Sequence, residues 1–366
     1  MTNTIPGNRQ RNPIGRWLDK LILWLVAKLF ALALAVRMGL MTRQRMSHNN
    51  GIAARGSLRI VEHPEFPRHE FFAAGKQYPV SIRHATATFY DDAMNGIRSM
   101  SIKFSHHHFN SPFDIEMNTG ATSLFWSAAS FLQFARLRRE HYGVEYCDYY
   151  RRYPDGLESA LMSLRRNPTS FANLNYYCKT PFLFLGADNR TRYAKYRCLP
   201  YPETPETGLL DEHDPSYCDP CNQRILPCES RGRNYLKDEY ENRVRQQGAQ
   251  YLMQIQTREA TPAEGPEIFN NMTPWDETLF PWQDLAVIEI DAVLDWTDSN
   301  LTSFSLNNMP ASLGIIPAAS IYDYNSLNYM RAHSELARKT RIFAYKLFGG
   351  PPAIPDNDNR NSSTAT

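Results

Sequence analysis

The most apolar stretch of this 366-residue chain lies near its start, from Leu21 to Val36, where Trp24, Phe30 and nine Leu, Ile or Val residues surround a single charge, Lys28. Such a run must be removed from water, against protein or in lipid. Its sixteen residues fall short of the roughly 20 needed to cross a bilayer. Basic residues stand on both sides, so no asymmetry sets an orientation. Residues 1 to 45 hold eight basic side chains and one acid, Asp19, so this segment carries +7 and the remainder −5 of the formal +2. A helix lying in the membrane interface, with Lys28 snorkelling and the flanking cations near anionic headgroups, fits better than a spanning or a buried helix. A signal peptide has Ala33-Leu34-Ala35 in its favour and the internal lysine against it. The expectation is contact with a membrane surface through residues 17 to 38, with the protein facing the cytoplasm.

Composition narrows the remainder. With 42% hydrophobic and 12% aromatic residues the chain can bury a sizeable core, which excludes disorder as its main theme. A near-neutral total gives no chain-wide phosphate-binding surface, so no nucleic-acid partner is expected. Short apolar runs at Leu58–Val61, Pro79–Arg83, Met100–Phe104, Gln250–Gln256 and Leu285–Val293 predict strands. Tyr177 to Leu199 predicts one or two more around the turn at Gly186-Ala187-Asp188-Asn189. Ala121 to Arg139 and Ser326 to Phe348 have helical patterns, the second stopped by Gly349-Gly350-Pro351-Pro352. The expected organisation is a basic segment over 1–42 with the membrane-associating helix, one domain over 43–350 and a disordered tail over 351–366.

Four of the six cysteines, Cys198, Cys218, Cys221 and Cys228, fall in or beside an insertion over about 200–232. Cys218-Asp-Pro-Cys221 has the knuckle spacing of a structural metal site, which Cys228 or His213 would complete. Free thiols or a local disulfide are the competing reading, since no second Cys-x-x-Cys follows. His106, His107 and His108 are adjacent, and three consecutive side chains do not converge on one ion without unusual backbone geometry.

A more informative order of motifs begins at Arg45-Met46-Ser47-His48. It continues with Ile82-Arg83-His84-Ala85-Thr86, Asn95 to Phe104, Phe113-Asp114-Ile115-Glu116-Met117-Asn118 and Phe131. Downstream come Tyr177 to Arg197, Trp275 to Trp282 and Ser305 to Pro310. In order and spacing this resembles the haem catalase superfamily, over about residues 43 to 348, and within it the small, allene oxide synthase-like branch. The resemblance implies an α+β fold in which a closed antiparallel β-barrel has carboxy-terminal helices packed over haem b. It implies His48 as distal acid and base, Asn118 as the amide holding the outer peroxide oxygen, Arg45 and Arg83 as propionate partners, and Phe131 beside the porphyrin. These residue types suit the chemistry. An imidazole can shuttle a proton between two oxygens, and planar guanidinium forks bind carboxylates in two places.

The fifth iron ligand in that family is a tyrosinate four residues after an arginine. Arg341-Ile342-Phe343-Ala344-Tyr345 reproduces the motif, with Tyr345 as ligand and Arg341 as its partner. The link before it is longer than in typical catalases, however. An alternative alignment on Ser326 to Arg331 puts Ser334 or Glu335 at the ligand position, with the ligand then lost, moved to Tyr329 or replaced by His333. Ser47 stands where catalases have valine, and Ser123 and Leu124 replace two channel-narrowing aromatics. Both changes imply a wider pocket. The resulting expectation is a membrane-associated haem enzyme cleaving the O–O bond of organic, fatty-acyl hydroperoxides. Two alternatives stay open: a small catalase or peroxidase using hydrogen peroxide, and a non-catalytic membrane-bound module that retains the fold. Oligomeric state is not readable.

Overall fold

The computed structural model describes residues 12–87, 91–140, 147–214, 225–226, 228–259 and 265–350. Eight antiparallel strands close into a barrel. They are β1 (Gly51–Ile60), β2 (Gln77–Thr86), β3 (Gly96–Lys103), β4 (Asp114–Thr119), β6 (Tyr176–Tyr177), β8 (Thr191–Pro200), β9 (Ala249–Glu259) and β10 (Gln283–Val293). Their order is β2-β1-β10-β9-β8-β6-β4-β3, and pairing of β3 with β2 completes the ring. Two short strands sit outside it: β5 (Leu164–Arg165) on β3 and β7 (Phe182–Leu185) on β8. This is the expected α+β barrel, with the apolar runs named above falling on its strands, although Val61 and Phe104 lie one residue past the ends of β1 and β3.

Alternation drives the closure. Val80 and Ile82 of β2, Met100 and Ile102 of β3, Ile115 and Met117 of β4, and Ile288 and Ile290 of β10 point into one core, as the period of two in a strand requires. β1 bends at a bulge where its register on β10 shifts between Arg55 and Gly56. A side chain at Gly56 would meet the Glu289 carbonyl oxygen at 1.8 Å, so the close approach demands glycine. The core also holds polar groups that are paired: Lys103 and Asp114, both fully buried, meet at 2.9 Å, and His84 bonds the Tyr251 hydroxyl at 2.9 Å.

The helices are α1 (Pro13–Leu34), running on into a π-helical segment (Ala35–Met41), then α2 (Ala128–Glu140), α3 (Cys147–Arg152), α4 (Pro154–Ser163), α5 (Tyr235–Gln247), α6 (Trp296–Leu301), α7 (Ser326–His333) and α8 (Glu335–Phe348). Asn12 caps α1 by accepting from the Gly15 amide at 2.8 Å, with proline in the first turn. The sixteen-residue apolar run is thus part of a continuous 29-residue helix, Pro13–Met41, long and apolar enough to cross a membrane. One stripe of it, Leu23, Ala27, Ala31, Ala35 and Gly39, is buried. The helix packs on α7 and α8, and Trp17, Trp24, Leu29 and Leu32 on other faces are exposed.

Two helical expectations are corrected. Residues 121–127 are not helical: the Ser130 hydroxyl accepts from the Trp126 and Ser127 amides, which starts α2 only at Ala128. The single helix expected over Ser326–Phe348 is two, broken at Ser334, whose hydroxyl donates back to the Arg331 carbonyl at 2.6 Å. Cys218, Cys221 and the tail over 351–366 lie outside the described residues, and Cys228 is an exposed free thiol. Among the described residues no three His, Cys, Asp or Glu are grouped to hold a metal ion. The three adjacent histidines diverge as expected: His106 bonds the Gly56 carbonyl, His107 accepts from the Phe109 and Asn110 amides, and His108 meets Thr302.

Candidate functional site

The outer face of the barrel carries the site. Strand register sets Arg83 opposite Ser101 and Ser101 opposite Glu116, while the next row aligns Ser99, Asn118 and Tyr177. These residues alternate with the core-facing ones, so polar side chains of four neighbouring strands project from the barrel together. α1, its π-helical extension, α2, α7 and α8 enclose this face and leave a cavity of about 420 Å³, within the ordinary range for small-molecule sites.

His48 enters the cavity from the loop that precedes β1. Its backbone is left-handed, with φ of 63°, a conformation uncommon outside glycine and one that surrounding contacts must hold. Those contacts are present: its amide donates to the Ala87 carbonyl at 3.1 Å, and its carbonyl accepts from Arg83 Nη1 at 2.8 Å. Ser47 Oγ lies 2.5 Å from His48 Nδ1 and orients the ring, so proton exchange with a ligand falls to Nε2. Arg83 also donates to the Asn49 carbonyl. A side chain at Gly51 would come within 2.7 Å of the Arg83 guanidinium, so the loop and the arginine share space only because residue 51 has none.

Arg45, half-buried, and the buried Arg83 and Arg341 form a cationic cluster on the cavity wall. Their hydrogen bonds run to main-chain carbonyls: Arg45 to Asn300 and Thr302, Arg83 to His48 and Asn49, and Arg341 to Asn300. Among the described residues Arg45 Nε and Arg83 Nε have no hydrogen-bond partner. Burial lowers the pKa of all three guanidiniums, and each is lowered further by another member: Arg45 by Arg83, Arg83 by Arg341 and Arg341 by Arg45. Arg83 is brought down to about 9. Desolvated like charges with unfilled donors are costly unless an anion joins them.

The remaining walls are mixed. Phe131 meets Phe30 edge-on at 5.9 Å and Phe125 at 5.1 Å, and Leu34, Met38 and Phe134 extend this apolar side. Ser123 and Leu124 line it too, at the two positions expected to widen the pocket. From the helices, Leu327, Met330, Arg331, Glu335, Arg338 and Arg341 face the cavity at helical spacing. Arg331 pairs with Glu116 across from β4. Of the residues singled out from sequence, Arg45, Ser47, His48, Arg83, Asn118, Phe131 and Arg341 converge here. Tyr345, Tyr329 and His333 are not among the lining residues. Tyr345 is buried one turn beyond Arg341, against Gly350, while Tyr329 and His333 stack on one another at 4.3 Å. Glu116, Arg331 and Arg338 were not foreseen. The alternation Ser99, Ser101 and Glu116, Asn118 marks the polar barrel face, and the helical spacing of Arg331, Glu335 and Arg338 marks the facing wall.

This arrangement is that of the catalase-related class, which the ordered motifs from Arg45 to Pro310 already resembled. Within the class the chain is similar to the allene oxide synthase-like branch. It is 37% identical over 298 residues, 79% of its length, to the allene oxide synthase-lipoxygenase protein of Plexaura homomalla. It is 30% identical over 273 residues, 69% of its length, to linolenate 9R-lipoxygenase of a Nostoc species. The chain spans 27% and 32% of the lengths of those two proteins. No family model matches it.

The arginine cluster carries a direct test. Because Arg341 is desolvated beside two like charges, Arg341→Met is expected to stabilise the ligand-free protein by about 1–3 kcal/mol, measured as a raised denaturant midpoint, while weakening uptake of a carboxylate-bearing ligand. A lowered midpoint contradicts the view that the cluster is held at a cost.

Proposed function

We propose that this protein is a haem enzyme of the catalase-related class that cleaves the O–O bond of organic, fatty-acyl hydroperoxides. The observation that carries the reading is the convergence of His48, Asn118 and the desolvated arginine cluster in one cavity with an apolar side. The residues fit haem b. The orphaned donors of Arg45 and Arg83 suit propionates, Phe131 and Leu327 suit flat porphyrin faces, and His48 with Asn118 suits a peroxide. Bound haem supplies the iron at which a peroxide O–O bond is broken.

The chain's own residues supply orientation and proton handling. Ser47 holds the imidazole, so that His48 Nε2 takes the proton from the oxygen bearing it and delivers it to the departing oxygen. Asn118 orients the hydroperoxide without changing charge. Phe30, Leu34, Phe125 and Phe134 form the side along which an acyl chain lies, and this favours a lipid substrate over hydrogen peroxide. The names of both relatives, one an allene oxide synthase-lipoxygenase and one a linolenate lipoxygenase, agree with fatty-acid peroxide chemistry. The expected result is turnover of an 18-carbon fatty-acid hydroperoxide that His48→Ala lowers by about 10²–10⁴, followed by loss of substrate absorbance. Rapid oxygen release from hydrogen peroxide with no lipid turnover would falsify the substrate assignment.

Membrane association is part of the same proposal. The docked stripe of α1 leaves Trp17, Trp24 and Leu29 outward, and Arg16, Lys20, Lys28 and Arg37 accompany them along the helix. A helix seated on the domain by one face and on lipid by another brings Phe30 and Leu34, which line the cavity, beside the source of an acyl peroxide. The protein is expected to co-sediment with phosphatidylserine vesicles, and Trp17→Ser with Trp24→Ser to reduce this at least tenfold. Equal partition of wild type and variant contradicts the docking face.

A further inference from the structure

The strand that sets Tyr177 opposite Asn118 continues with one more outward side chain. Cys178 is part of the barrel core and its amide donates to the Tyr196 carbonyl at 2.8 Å, so the backbone stays extended beyond β6. Alternation then puts Lys179 on the same outer face as Tyr177, and both line the cavity. We propose that the ammonium of Lys179 anchors the carboxylate of the acyl substrate, which lies carboxyl end inward with its chain running toward α1; this rests on the fatty-acyl reading above.

Lys179 is a cation for which the fold supplies no counter-ion. Its Nζ donates to Ser163 Oγ at 2.9 Å, and among the described residues it has no carboxylate partner. The carboxylates around it are already engaged. Glu206 takes Arg165 Nε at 2.8 Å, and the two acids on the cavity lining, Glu116 and Glu335, pair with Arg331 and Arg338. Burial, and then the like charge of Arg165, bring the lysine's pKa down to about 7. An incoming carboxylate reverses that shift, because an opposite charge in contact favours the ammonium. Of its three donors Ser163 occupies one, which leaves two for a ligand.

This anion site is separate from the arginine cluster. In the strand order β2-β3-β4-β6, Arg83 belongs to β2 and Lys179 follows β6, three strand spacings or about 14 Å along the sheet. The wall between lysine and α1 is apolar and continuous. Ser163 Oγ donates to the Thr122 carbonyl at 3.4 Å, which ties the lysine's partner to the segment bearing Leu124 and Phe125. From Phe125 ring contacts lead to Phe131 at 5.1 Å, and from Phe131 to Phe30 of α1 at 5.9 Å. An apolar track with a single desolvated cation at its inner end matches an acyl carboxylate in polarity from end to end.

The test is calorimetric binding of an 18-carbon hydroxy fatty acid, the unreactive alcohol corresponding to the hydroperoxide, and of its methyl ester to the haem-supplemented full chain. Wild type is expected to bind the acid about tenfold or more tightly than the ester. Lys179→Met and Lys179→Gln should bring the two ligands to within about twofold of one another, and Lys179→Arg should keep the preference for the acid. A preference that persists in both uncharged variants places the carboxylate on other cations, and equal binding of acid and ester by wild type removes the anchor. Either result overturns the assignment while leaving the fatty-acyl reading intact. Binding of neither ligand by wild type overturns both.

Discussion

The cost of gathering Arg45, Arg83 and Arg341 out of water is the constraint on which the rest of the site depends. Among the described residues only main-chain carbonyls receive their hydrogen bonds, and at Arg45 the attraction of Glu116 is outweighed by burial and by Arg83. Several otherwise separate features serve to sustain the cluster. Gly51 leaves room for Arg83, the 42–50 loop turns its carbonyls toward that guanidinium, and the end of α6 offers Asn300 and Thr302 to the other two. The same bond that anchors Arg83 holds the left-handed backbone of His48. Charge recognition and the acid–base residue are therefore one mechanical unit, and loosening one displaces the other.

The helical side gives that unit a lid and a direction. α8 starts at Glu335, beside the break at Ser334, and carries Arg341 further along the same helix. The π-helical extension of α1 lies against α8, where Gly39 approaches Thr340 and the Arg341 amide. α1 is consequently more than a tether. Phe30, Leu34 and Met38 form part of the cavity wall, so the helix expected to meet lipid also meets the substrate space.

Much of this was legible in the sequence, for reasons that differ from residue to residue. Strands such as β2 and β10 declare themselves because one face is apolar and the period of two is intact. His48, Arg83, Asn118 and Phe131 are individually unremarkable side chains, and only their order and spacing, through the family resemblance, singled them out. The amino-terminal helix read shorter than it is because Pro13 to Lys20 mixes charges with Ile14, Trp17 and Leu18, and those eight residues are helical by capping rather than by apolar continuity. α5 stayed hidden because only Leu236, Tyr240 and Val244 of its thirteen residues are buried. Tyr345 reproduces a motif in sequence, yet a helical break about three turns upstream, at Ser334, decides which residues of Ser326–Phe348 reach the cavity. That is a local side-chain-to-backbone bond which the apolar pattern of the segment does not reveal.

The arginine cluster, His48 and Asn118 are proposed together to form a haem site. Titration of the purified full-length chain with ferric haem, followed by its absorption spectrum, tests it most directly. Saturation at a single equivalent, with a bound-state spectrum that is weakened when Arg45 and Arg83 are both replaced by methionine, is the predicted result. A titration indistinguishable from free haem, or one unaffected by those replacements, would contradict it.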